Sequence, residues 1–151
     1  MRGVIFVHHR CHPHDRNFGV LMSNLIGTWH LVATRAWDDD NNELPVPYGP
    51  IPRGVVAFDD NQRMMCVLVD GRQQLPAASA SREYASYTGQ YTFVDNVLTT
   101  RCDCSSDPAR VGTDQVRQVR FSGVRLILRP PVRVNDNGVN VHRELEWEKL
   151  A

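Results

Sequence analysis

The stretch Val139-Asn140-Val141-His142-Arg143-Glu144-Leu145-Glu146-Trp147-Glu148-Lys149 alternates with a period of two. In an extended chain Val141, Arg143, Leu145 and Trp147 share one face, and His142, Glu144, Glu146 and Glu148 share the other. Three carboxylates on one face belong in water, so Trp147, Leu145 and Arg143 point into a core. The segment therefore reads as a closing strand of an antiparallel sheet with one wet face.

Similar strands lie upstream. Gly27 to Trp37 is rich in Thr, Val and Trp and reads as the first strand. By parity Trp29, Leu31, Ala33, Arg35 and Trp37 fall on one face, with His30 and Val32 on the other. Gly54–Phe58 and Met64–Val69 flank Asp59-Asp60-Asn61-Gln62, a hairpin signature. Thr88–Val94 and Val97–Cys104 flank Asp95-Asn96, two residues that tolerate the left-handed conformation. Thr113–Phe121 and Arg125–Leu128 flank Ser122-Gly123, and Pro130-Pro131 ends that strand. Leu44 to Pro52 carries four prolines and reads as an ordered loop. Residues 77–87 are alanine-rich enough to suggest a short helical turn. About eight short strands joined by hairpins predict an all-β, up-and-down antiparallel barrel. A barrel of that size either fills itself with side chains or holds one small ligand. Trp29 and Trp147 are expected to plug one end, leaving the other as the mouth.

The chain of 151 residues suits one domain, and its 17 basic and 17 acidic side chains balance. That balance argues against nucleic acid as a partner. Arginines between Arg110 and Arg133 are expected to scatter over two strand faces as a solvated surface. No apolar run approaches the roughly 20 residues of a membrane helix, and the apolar Val4–Val7 is short for a signal peptide. A cytoplasmic protein with reduced thiols is the expectation, with a homodimer allowed. Residues 1–22 are polar and aperiodic, and read as a disordered or loosely attached arm before a domain at 23–151. Met22 would serve as an alternative start. His8, His9, Cys11, His12 and His14 in that arm could bind metal adventitiously, but their spacing matches no closed site. No metal and no cofactor are expected.

Gly27-Thr28-Trp29 resembles the G-x-W signature of lipocalins. With Pro47-Tyr48-Gly49-Pro50, Val111-Gly112-Thr113-Asp114-Gln115 and Leu145-Glu146-Trp147-Glu148 in order, the chain from Leu25 to Leu150 is similar to the lipocalin-like domain family of bacteria and fungi. The resemblance implies a calyx-like barrel. It also suggests a histidine around Thr100-Arg101 and an aromatic residue near Arg110, both of which this sequence lacks. Fold alone does not fix function.

No Ser-His-Asp, G-x-S-x-G, phosphate-loop or H-E-x-x-H pattern occurs. His30 and His142 fall opposite the tryptophans and so outside. An inward Arg143 needs a partner such as Asp103, or an opening and a ligand, because an unpaired buried charge costs several kcal/mol. Three readings follow. In the first, the barrel binds a small hydrophobic or aromatic metabolite. Trp37, Tyr91 and Phe93 form its walls, Tyr48 donates a hydrogen bond, and Arg35, Arg101 or Arg143 orients a polar end. The second is a cofactor-independent isomerase, cyclase or hydratase using the same arginine and tyrosine residues. The third is an interaction or oligomerisation domain with a solid core.

Overall fold

A computed structural model of the protein describes residues 24–78 and 80–150. Among these residues there are nine strands: β1 (Gly27–Trp37), β2 (Pro52–Phe58), β3 (Arg63–Asp70), β4 (Tyr84–Val94), β5 (Val97–Ser105), β6 (Asp114–Ser122), β7 (Arg125–Arg129), β8 (Arg133–Val134) and β9 (Asn140–Lys149). Consecutive strands from β1 to β7 pair antiparallel, β7 pairs β9, and β9 returns to β1. The result is a closed eight-stranded barrel, which leaves no free sheet edge among its staves. The short β8 pairs only with the start of β9, through Arg133 and Val134.

The turns follow their residues. Asp95 and Asn96 both take positive φ (50° and 60°), as a tight two-residue hairpin matching the strand twist requires. Gly123 does the same between β6 and β7, at φ 57°. Among the described residues of 77–87 there is no helical turn: Tyr84 to Tyr87 already belong to β4, whose alternating Ala85, Tyr87, Tyr91 and Phe93 fill the core. Burial of that period-two face outweighs the helix preference of a few alanines. A 3-10 turn lies instead at Pro108–Arg110. Asp107 caps it by accepting from the Ala109 N–H at 3.0 Å.

Two register shifts decide which residues face inward. The β1–β9 ladder slips between Leu31 and Ala33, so Trp29 and Leu31 point inward before the slip, and Thr34 and Ala36 are the buried residues after it. Such a bulge reverses the parity of everything beyond it. The expected inward placement of Ala33, Arg35 and Trp37 is therefore overturned. A second shift falls between Thr88 and Gly89 on β4. A Cβ on Gly89 would stand 2.0 Å from the Arg101 carbonyl oxygen, so the two backbones approach there as only glycine allows.

The core is densest at one end. Leu25, fully buried, accepts a hydrogen bond at its carbonyl from Trp29 Nε1 at 2.9 Å. Trp29 tilts against Phe121 with centroids 6.4 Å apart, and Phe58 meets Tyr91 edge-on at 5.3 Å. Phe93 completes this plug. Trp147, opposite Leu31 on β1 and Leu126 on β7, lies just above it.

Candidate functional site

Above the plug the barrel is not filled. A cavity of about 220 Å³ runs from Trp147 towards the end where β1 finishes and β9 begins. Its floor and lower walls are apolar: Val56, Met64, Leu68, Leu98, Leu128 and Leu145. Each is an inward residue of a different or next-but-one position on the alternating strands, which is why the lower cavity contains little polarity.

Its upper part is built from cations. Arg143 on β9, Arg117 on β6, Arg110 from the 3-10 turn and Arg133 on β8 all line it, against one acid, Asp114. Asp114 is itself taken up by Arg101 outside, at 3.2 Å. Arg110 lies 3.6 Å from Asp107 and over the Tyr87 ring at 5.7 Å. Arg117 donates to the Val116 carbonyl at 2.7 Å and lies 3.5 Å from the Tyr87 hydroxyl. Among the described residues Arg117, Arg133 and Arg143 have no carboxylate partner. Burial, and then the guanidinium groups of Arg133 and Arg117, disfavour the charge on Arg143. An arginine does not answer by losing its proton, so the fold carries that cost.

Tyr48 closes one side. It sits at φ +63°, a costly conformation for a bulky residue, and Gly49 follows at +68°. The loop is pinned by its neighbours. Thr34 Oγ1 donates to the Pro47 carbonyl at 2.9 Å, and the Tyr48 N–H donates to Glu83 at 2.6 Å. Beneath Gly49 the buried Asp70 accepts from the Arg72 backbone N–H and guanidinium, while Arg82 donates to the Asp70 carbonyl. Burial first, and then the Glu83 carboxylate, push the Tyr48 hydroxyl up to about 12. Burial also raises the Tyr87 hydroxyl and pushes the Cys66 thiol, on the cavity wall, up to about 12. All three groups stay protonated at neutral pH.

A family model described as a lipocalin-like domain matches residues 26–150. The chain belongs to the lipocalin-like domain family. The closed eight-stranded barrel agrees with that membership. No curated protein matches the chain. For a lipocalin-like barrel, the cavity is the natural place to look for ligand contacts, and the sequence-based candidates divide sharply there.

Tyr48 and Arg143 line the cavity. Tyr91 and Phe93 belong to the plug below it, the Tyr91 hydroxyl donating to the Asp59 carbonyl at 2.8 Å. Arg35, Trp37 and Arg101 lie outside the barrel. Trp37 stacks on His142 at 5.7 Å, with Arg35 and Arg129 over its ring at 5.5 and 5.4 Å. Asp103, offered as a partner for Arg143, instead binds Arg63 through two hydrogen bonds of 2.5 and 2.8 Å. Arg110, Arg117 and Arg133 were expected on a solvated surface; Arg110 and Arg117 are half-buried on the cavity wall, while Arg133 lines the cavity and stays exposed. Arg120, Arg125 and Arg129 do lie outside, paired with Glu144, Glu146 and Glu148. A usable signal existed in β6, where Gln115, Arg117, Val119 and Phe121 alternate inward and place one arginine on an otherwise core-like face.

Among the described residues no cluster of His, Cys, Asp and Glu could hold a metal, and no helix is long and apolar enough to cross a membrane. The histidine-rich arm lies outside the described residues.

Proposed function

We propose that the barrel binds a small hydrophobic or aromatic molecule, with its apolar body on the Trp147 floor and its polar end oriented by Arg143. The observation that carries this reading is the cavity itself: about 220 Å³ with an apolar base and placed polar groups at one end. An apolar cavity of about 150 Å³ in another protein takes up benzene, so the space suits a substituted ring or a short branched chain. Burial of such a body supplies roughly 25 cal/mol per Å², and the polar groups select orientation. The same space weighs against a solid-core interaction domain.

Binding is favoured over catalysis by the state of the lining groups. Tyr48, Tyr87 and Cys66 are all driven towards their protonated forms, which makes them hydrogen-bond donors and poor bases. Both histidines of the barrel, His30 and His142, sit on the outer face, and His142 is held by Asp39 at 2.7 Å.

Trp147 provides the readout. Titration of tryptophan fluorescence with a panel of small aromatic and aliphatic compounds is expected to show saturable change, lost in a Cys66→Phe variant that fills the space. A panel without a saturable binder would sink the reading.

A further inference from the structure

We infer that the molecule taken up is an organic anion, a small aromatic or branched acid whose carboxylate is received by the guanidinium groups of Arg143 and Arg117. This rests on the reading that the cavity takes a ligand, and adds the chemical class of its head group.

Three independent features of the cavity point the same way. The first is charge. The chain as a whole carries formal net charge +0, yet four arginines and one aspartate line this space. Several arginines on the outer surface are matched by carboxylates, as in Arg63–Asp103, Arg72–Asp70 and Arg129–Glu144. Of the four cavity arginines only Arg110 is so paired, with Asp107 at 3.6 Å. Partly buried like charges repel, and a bound anion removes that repulsion.

The second is hydrogen-bond polarity. Among the described residues, the buried side-chain nitrogens without a partner are His30 Nδ1, Arg143 Nε and Trp147 Nε1. The last two belong to residues of the cavity wall and are donors with no acceptor capacity, though both atoms are themselves closed off from the open space by their neighbours. The Tyr48 and Tyr87 hydroxyls, kept protonated, add two more donors. A donor-rich, acceptor-poor lining matches a ligand that brings acceptors only, and an ionised carboxylate is such a group.

The third is shape. A guanidinium presents its N–H groups as a planar fork that fits the two oxygens of a carboxylate. Arg143 and Arg117 come from β9 and β6, the two strands that flank β7, so both forks rise from one side of the barrel and one carboxylate can be shared between them. The apolar floor below then limits the body to about one ring.

The test compares benzoate with benzamide and toluene, which share the ring and differ in head group. Titration of the full chain at fixed ionic strength, by calorimetry and tryptophan fluorescence, is expected to show benzoate binding about 10- to 100-fold tighter than benzamide, the range for a charge-assisted hydrogen bond. Arg143→Met and Arg117→Met should each cut the benzoate advantage by about tenfold or more while benzamide affinity changes little. If a variant does not fold by near-ultraviolet circular dichroism, the wild-type comparison alone decides. Equal affinity for benzoate and benzamide would overturn the anion inference and leave the binding reading standing. Binding of none of the three would overturn both.

Discussion

Replacing Arg143 by methionine should make the unliganded barrel more stable. Arg143 Nε is buried without a partner, and burial and then the Arg133 and Arg117 guanidiniums disfavour its charge more than the more distant Glu83 carboxylate supports it. Leaving a buried polar group unsatisfied costs about 1–3 kcal/mol, more for a charged one. The side chain is only partly buried, so the lower part of that range applies. Methionine keeps most of the apolar stem and its packing, adds no charge, and adapts to an irregular wall. The net gain is about 1–2 kcal/mol, which for a domain of this size raises Tm by roughly 2–8 °C. Thermal unfolding by circular dichroism reads it directly. Ligand narrows the gap. Benzoate at 100 times its wild-type Kd adds about 2.7 kcal/mol to the wild type through mass action and about 1.4 kcal/mol to a variant that binds it tenfold more weakly. A variant that is less stable than wild type without ligand would show that Arg143 is satisfied inside the fold, and the argument from its orphaned charge would fail.

Gly89→Ala is expected to destabilise by about 3 kcal/mol, at the top of the range for overpacking, because its Cβ would meet backbone atoms of Arg101 rather than a side chain that could swing away. Urea denaturation checks this, and a cost under about 1 kcal/mol would contradict the close approach. Alkylation by iodoacetamide at pH 8 should label the exposed Cys104 and spare Cys66, whose burial pushes its thiol up to about 12; peptide mapping that finds Cys66 labelled in the folded chain would refute its placement. Asp70→Asn should cost stability at neutral pH. Hydrogen bonds from Arg72 hold the Asp70 carboxyl below its ordinary value of 3.8, so its contribution is present above that value and lost as pH falls through the lower folded one. The Tm gap between wild type and Asp70→Asn should therefore close on acidification, and a gap independent of pH would contradict the pairing.

Much of the barrel was legible because its strands carry a period of two and its turns carry their own chemistry. Val141 to Lys149 announced both the strand and its inner face, and Asp95-Asn96 announced a hairpin. The site was harder to read, for a physical reason. Parity is transmitted along a strand only until a bulge, and nothing in His30-Leu31-Val32-Ala33 marks the slip that turns Arg35 and Trp37 outward. Tyr91 and Phe93 were correctly placed on an inner face, but a face does not tell which end of the barrel holds the space. That depends on how eight strands stagger together. Arg110 and Arg117 were misjudged in the opposite direction. Arg110, Arg117 and Arg133 come from a turn and two strands, so no single periodicity groups them. Closure of the barrel does.

An organic acid that enters the barrel should lay its ring on Trp147 and its carboxylate on Arg143 and Arg117. A crystal structure of the full chain with benzoate is expected to show the carboxylate within about 3 Å of guanidinium nitrogens of both arginines and the ring between Leu145 and Met64. Benzoate bound only on the outer surface, or a cavity closed by inward movement of the arginines, would contradict it.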